Sequence, residues 1–121
     1  ALGAGATGKG VAASVRGAAG ALRELEKRQK SRSTRAQRDA LDRALVDLAA
    51  FYRDVLLRHA GSPVPPAHPD FAGDVAAVAA RIDAAGALER LDAILACRQA
   101  LELNVKPRIA VEALTTALRL P

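Results

Sequence analysis

Apolar residues recur every three or four positions between Leu41 and Leu56, and this spacing restricts the fold more than any other feature of the sequence. Side chains at that interval share one face of an α-helix, whereas a strand would alternate them. The spacing predicts a helix from about Thr34 to His59. Its apolar face contains Leu41, Leu45, Leu48, Tyr52, Val55 and Leu56. The opposite, solvated face contains Arg38, Asp42, Arg43, Asp47, Arg53 and Asp54.

A shorter helical pattern precedes this one, from about Val11 to Gln29, and its apolar side chains are Val15, Ala18, Leu22 and Leu25. Hydroxyl side chains favour helix caps, so we expect a break between the two helices at Ser31, Ser33 and Thr34. After Gly61, four prolines within residues 63–69 predict a rigid, non-helical crossover.

Three further helices are expected after the crossover. Asp70 can cap the first, which runs to about Ala84 and is broken at Ala85 and Gly86. The next runs from about Ala87 to Leu103. Its expected buried side is Leu88, Leu91, Ile94, Leu95 and Leu101. Asn104 is a plausible N-cap for the last helix, in which Pro107 occupies the first turn and Pro121 is the stop. The apolar stripe of this last helix is Val111, Leu114, Ala117 and Leu118.

Composition agrees with helices throughout. Half of the residues are hydrophobic, yet only 2% are aromatic, and Ala and Leu dominate. These two residues are strong helix formers, while strands favour β-branched and aromatic side chains. We predict an all-α fold, a single compact bundle of about five helices over residues 11–121, preceded by a flexible Gly-rich linker remnant at residues 1–10.

The chain has a net charge of +5 and one cysteine, so no disulfide can form within it. A basic balance permits contact with nucleic acid or an acidic protein. No apolar run is long enough for a membrane helix, and the start has no signal-peptide pattern. The sequence lacks Met and opens in an Ala/Gly-rich stretch. We therefore expect a cytoplasmic domain cut from a longer protein.

Residues 3–10, GAGATGKG, nearly match the phosphate-binding loop G-x-x-x-x-G-K-[ST]. That loop needs a hydroxyl for magnesium, but Gly10 occupies the last position. No strand precedes it to hold the loop, which also argues against a dinucleotide-binding G-x-G-x-x-G turn. A linker is the favoured interpretation of these residues. A nucleotide-binding enzyme fragment is the weakest of the three functional hypotheses, after an interaction domain and a DNA-binding module.

No arrangement of residues suits catalysis. His59 and His68 are the only histidines, and together with Cys97 they lack metal-ligand spacing. Cys97, inside a helix, is expected to be a small buried residue. We predict no catalytic residue, no metal, no cofactor and no small-molecule substrate, and hence no enzyme activity for this chain.

A run of positive charge without acidic residues lies in residues 27–38. It consists of Lys27, Arg28, Lys30, Arg32, Arg35 and Arg38. One interpretation is a phosphate-contacting patch, which would make the chain a stand-alone basic helical DNA-binding module. No aromatic side chains interleave the run, so base stacking is not offered. Protein contact or plain solvation is the favoured interpretation.

The stretch from Leu91 to Leu114 resembles the C-terminal end of bacterial DNA polymerase III subunit delta prime, in actinobacterial-like form. That family has a Leu-rich helix, an Asn, a short turn, and then an Arg and a Glu four residues apart. Asn104, Arg108 and Glu112 hold those places here. The segments FYRDVLL at residues 51–57 and KSRSTR at residues 30–35 also resemble the family.

The resemblance, which covers about residues 20–120, implies the helical collar domain that holds a subunit in the pentameric clamp loader. That machine places the sliding clamp on primed DNA during replication. The implied partners are the gamma/tau and delta subunits, and any DNA contact would be indirect. The AAA+ module of the family is not in this sequence. The expected subunit interface is the surface of the last two helices, including Arg98, Asn104, Arg108 and Glu112.

Overall fold

The computed structural model describes the backbone of residues 8–121 and the side chains of residues 15–121. The described chain is all-helical, as predicted. Four α-helices and one 3-10 helix follow each other in the order α1 (Gly8–His59), the 3-10 helix (Pro69–Phe71), α2 (Ala72–Ala79), α3 (Ala84–Glu102) and α4 (Pro107–Ala117). The prediction of about five helices was wrong, because the first two expected helices are one.

Helix α1 runs without interruption through the serine- and threonine-containing segment where a break was expected. The Thr34 hydroxyl donates a hydrogen bond of 2.9 Å to the main-chain oxygen of Lys30, one turn earlier. The hydroxyl is satisfied within the helix, so it does not compete with the helical backbone. Residues 1–7 of the expected linker lie outside the described residues, and Gly8–Gly10 belong to α1.

The end of α1 follows the prediction. Gly61 has a φ of +63°, the left-handed conformation that glycine adopts without strain. Its N–H bonds to the oxygen of Arg58, and the N–H of Ser62 bonds to the oxygen of Leu57. These two bonds form a Schellman motif, which satisfies the last carbonyls of the helix.

The two helices after the crossover begin and end at other residues than predicted. Asp70 caps neither, because it lies inside the 3-10 helix. Helix α2 ends at Ala79, before the expected Ala84. Asp83 then caps α3, because its carboxylate accepts a bond of 2.7 Å from the N–H of Gly86. This cap places Gly86 in the first turn, where its low helix propensity does not break the helix.

Asn104 also has another role than the expected N-cap. Its φ is +62°, and the N–H groups of Asn104 and Val105 bond to the oxygens of Leu101 and Ala100. Asn104 therefore closes α3 with a second Schellman motif, as a residue that tolerates the left-handed conformation. Lys106 is the residue before α4, and Pro107 is in the first turn of that helix, as predicted.

The core combines residues from all four helices and from the α2–α3 connection. Ile94, Val55 and Ala87 are fully buried. The other buried apolar residues are Leu45, Tyr52, Val75, Ile82, Cys97, Leu101, Ala110 and Leu114. Phe51 packs its ring edge-to-face with Tyr52 at 5.4 Å. The predicted apolar face of α1 is confirmed, since its members are buried or packed against this core.

Asp54 is a correction to the predicted wet face of α1. Its exposed fraction is only 5%. The carboxylate accepts hydrogen bonds of 2.9 and 3.0 Å from the N–H of Ala67, and one of 3.5 Å from the N–H of His68. A buried carboxylate requires such donors. Asp54 thus holds the proline-rich crossover against α1.

The chain divides into two compact units, one ending at Gln37 and the other comprising Arg38–Pro121. Every buried core residue lies in the second unit. In the first, the described apolar side chains Val15, Leu22 and Leu25 have exposed fractions of 62%, 60% and 49%.

Candidate interaction surfaces

Two of the four predicted interface residues are engaged within the second unit. The Arg98 guanidinium, on α3, donates to both carboxylate oxygens of Asp42 on α1, at 2.8 and 3.3 Å. Arg38, four residues before Asp42 and hence on the same side of α1, donates to the side-chain oxygen of Asn104 at 3.2 Å. Arg98 and Asn104 therefore attach α3 and its C-terminal turn to one face of α1.

The Arg98–Asp42 pair changes the titration of both groups. The hydrogen bond from Arg98 lowers the pKa of the Asp42 carboxyl below its usual value. The same bond raises the pKa of Arg98. The pair is partly solvated, with side-chain exposures of 36% for Arg98 and 50% for Asp42. It is therefore screened by solvent and salt.

Arg108 and Glu112 form the pair that their spacing on α4 predicts, at 3.1 Å. Their side chains are 89% and 66% exposed. The structure does not join them to the Arg98 and Asn104 contacts. Of the four predicted interface residues, these two present the most open polar surface to another molecule.

The predicted buried side of α3 was wrong at two positions. Ile94 and Leu101 are buried, but Leu88 and Leu95 are each 50% exposed. They lie seven residues apart and so share one outward face of the helix. The core-facing positions Leu91, Ile94 and Leu101 were identified correctly, but α3 is apolar on more than one side. Periodicity could not separate the side that meets the core from the side that does not.

Two more large apolar side chains are exposed near the turn between α3 and α4, namely Leu103 at 80% and Ile109 at 57%. Single exposed apolar side chains are common on monomeric proteins. Four of them lie on one helical hairpin, which also carries the exposed Arg108–Glu112 pair. We call Leu88, Leu95, Leu103, Ile109, Arg108 and Glu112 the α3–α4 surface.

All six residues of the basic run are exposed on α1. Lys27, Arg28, Lys30, Arg32 and Arg35 belong to the first unit, whereas Arg38 begins the second. Because α1 continues through this segment, the cations occupy consecutive helical turns. Among the described residues, none of the six takes part in an ion pair.

The residues considered for chemistry are placed apart from one another. Cys97 is buried, as predicted, and burial raises the pKa of its thiol, which favours the unreactive protonated form. His59 donates from Nε2 to the main-chain oxygen of Ile82 at 2.7 Å. His68 lies 3.8 Å from the carboxylate of Asp47. Within the described part of the chain, no group of three or more metal-ligating side chains is found.

The Gly-rich motif considered for nucleotide binding begins at Gly3, so its first half lies outside the described residues. Its last three residues, Gly8 to Gly10, are helical. Among the helices that the structure describes, none is both long and apolar enough to cross a membrane.

No protein-family model matches the chain, and neither a curated protein nor a solved structure is significantly similar to it.

The structure also identifies residues that the sequence did not single out. Arg90 is one of two buried charged residues among those whose side chains are described, and its exposed fraction is 7%. Its Nη1 donates to the main-chain oxygen of Gly86 at 3.0 Å, and its Nη2 donates to that of Arg119. Arg90 lies one helical turn before the buried Ile94 and therefore on the same side of α3. The sequence contains many arginines, and nothing in it distinguishes this buried one from the exposed ones.

Proposed function

We propose that this chain is a helical oligomerisation domain of the kind found in the collar of bacterial clamp loaders, in the place of a delta prime subunit. Its task would be to bind gamma/tau and delta subunits and so fix the position of an ATPase module within the ring. The chain itself would perform no chemistry.

The observation that carries this proposal is the α3–α4 surface. Leu88, Leu95, Leu103 and Ile109 remain at least half exposed although a separate core is complete behind them. Burying apolar area is the main driving force of association, and charged groups at the rim give orientation. The resemblance of residues 91–114 to delta prime sequences covers this same hairpin.

Assembly can be tested by size-exclusion chromatography with light scattering. The chain would be mixed with the C-terminal domains of gamma/tau and delta from one bacterial source. We expect a stable mixed complex. A well-folded chain that elutes alone at micromolar concentration would contradict the proposal.

Exchanging the charges of Arg108 and Glu112 tests whether these residues lie in the interface. In the double variant Arg108→Glu with Glu112→Arg, the two residues can still pair within α4, so the fold should remain intact. Their charges toward a partner are reversed, which should weaken the complex at least tenfold because like charges then meet. Asp39→Arg with Arg43→Glu reverses a similarly spaced, exposed set of charges on α1 as the control. Equal binding by both variants would make Arg108 and Glu112 intrahelical partners only.

The basic run favours a second candidate function, a DNA-binding helix. Six exposed cations on consecutive turns of α1 can follow a phosphate backbone. This candidate requires that DNA affinity fall steeply with salt and that neutralising Lys27, Arg28 and Lys30 reduce that salt dependence. Affinity unaffected by those substitutions would exclude it.

A further inference from the structure

A groove of about 760 Å³ lies between the α2–α3 connection, the start of α3 and residues 119–121. Four of its lining residues carry basic side chains, namely His59, Arg81, Arg90 and Arg119. Asp83 is the only acidic residue in the lining, and one of its carboxylate oxygens accepts the capping bond from Gly86. We call this the basic groove.

Arg90 is the central group of the basic groove and is incompletely satisfied. Only 7% of the Arg90 residue surface is exposed, so the residue is more than nine-tenths buried. Its Nε is buried and has no hydrogen-bond partner. Within the described residues, no carboxylate is within ion-pair distance of its guanidinium. A buried cation without a counter-ion is costly, because desolvation is not offset by a charge of opposite sign.

The partners that Arg90 does have are neutral. Its Nη atoms reach the main-chain oxygens of Gly86 and Arg119. Arg81 donates to the main-chain oxygen of Pro121. Two guanidinium groups thus contact main-chain oxygens of the segment 119–121. A carbonyl satisfies a donor but does not neutralise its charge, whereas an anion does both and can match the guanidinium fork with two parallel bonds.

We propose that the basic groove is a binding site for a phosphate group, with Arg81, Arg90 and Arg119 as its cationic ligands. The anion replaces the main-chain oxygen of Arg119 at the Arg90 guanidinium. Phosphate suits the groove better than a monocarboxylate, because it carries up to two charges and several acceptor oxygens for three guanidinium groups. This site is independent of the α3–α4 surface and of the basic run.

Gly86 fits this interpretation through its small size. A Cβ at this position would lie 3.3 Å from Nη1 of Arg90 and 3.2 Å from the Cβ of Ile82. The absence of a side chain thus lets the Arg90 guanidinium lie close against the first turn of α3.

The test uses the full chain and inorganic phosphate. Phosphate would be titrated by calorimetry and by amide chemical shifts, with sodium chloride at matched ionic strength as the reference. We expect saturable binding, with the largest shifts at Gly86 and Leu120. Arg81→Ala with Arg119→Ala removes two exposed cations from the groove and should weaken binding at least tenfold. Arg16→Ala with Arg43→Ala removes the same charge elsewhere and should leave it unchanged.

Three outcomes would overturn the proposal. One is a set of amide chemical-shift changes that are no larger in phosphate than in sodium chloride. Another is equal loss of binding in the two double variants, which would indicate a response to net charge alone. The third is binding of duplex DNA that depends on Arg81 and Arg119 without any binding of inorganic phosphate, which would make the groove part of a polyanion surface. Circular dichroism of each variant establishes that the fold is retained.

Discussion

At the scale of single residues, the ion pair of Asp42 and Arg98 links α1 to α3 outside the core. Its two hydrogen bonds give it fixed geometry, since the guanidinium fork matches both carboxylate oxygens. The pair requires an ionised carboxylate. Its contribution to stability must therefore depend on pH.

We predict that Asp42 makes the fold more acid-sensitive. Its pKa is lowered in the folded state, so its contribution is present above the unfolded value near 3.8 and is lost as the pH falls through the lower folded value. Chemical denaturation of the wild type and of Asp42→Asn should give different stabilities at pH 6, and this difference should shrink as the pH falls below about 4.

Asp39→Asn is the control for this experiment. Asp39 is an exposed carboxylate on the same helix, and no ion pair is found for it among the described residues. Its substitution should leave the pH dependence of stability unchanged. A constant difference between the wild type and Asp42→Asn from pH 6 to pH 3 would contradict the prediction.

The sequence could not assign such polar contacts. Periodicity placed Asp42 and Asp54 on the wet side of α1, because the pattern records only where apolar residues recur. The partners of Asp54 are backbone N–H groups of a loop, and the partner of Asp42 lies 56 positions later. The Arg108–Glu112 pair was predictable because both residues lie on one helix, four positions apart.

At the scale of elements, glycines in helices are not equivalent. Gly17 and Gly20 lie within α1, and a Cβ at either position would meet nothing within 4 Å. Gly86 lies within α3, where a Cβ would be crowded by three side-chain atoms at 3.2–3.3 Å. The same substitution should therefore have different consequences in the two helices.

We predict that Gly20→Ala stabilises the first part of α1. In a helix interior with open space, alanine is better than glycine by about 1 kcal/mol. Amide hydrogen exchange around residues 17–24 should slow by about fivefold, which is the same free energy expressed as an opening equilibrium. Gly86→Ala should give no such gain, because Arg90, Asp83 and Ile82 must shift. Equal slowing in both helices would show that the contacts at Gly86 do not matter.

Element boundaries were predictable where one strong signal acts alone. Gly61 and the prolines after it end α1 as expected, and Pro107 opens α4. Boundaries failed where two signals compete. Ser31, Ser33 and Thr34 suggested caps, but good helix formers surround them and α1 continues. At Ala85 and Gly86 the cap by Asp83 prevails over the glycine.

At the scale of the whole molecule, the sequence predicted the helical class correctly, because alternation typical of strands is missing and Ala and Leu dominate. It did not predict that the core would be confined to residues after Arg38. The apolar face at Val15, Leu22 and Leu25 has the same periodicity as the later faces, yet it is exposed. Periodicity identifies a face that can be buried, but not whether a partner element is there to cover it.

We predict that the second unit folds without the first. All buried core residues, both Schellman motifs and the Asp42–Arg98 pair lie in Arg38–Pro121. A chain of residues 34–121 should therefore show a cooperative urea transition with the midpoint of the full chain. A midpoint lower by about 0.5 M or more, which for a small domain corresponds to about 1 kcal/mol, would mean that residues before Thr34 stabilise the core.

A combination of unchanged folding and lost binding would have a different meaning. An unchanged midpoint together with lost binding to gamma/tau and delta would assign the exposed face of Val15, Leu22 and Leu25 to the assembly, since its removal would then cost association and not folding.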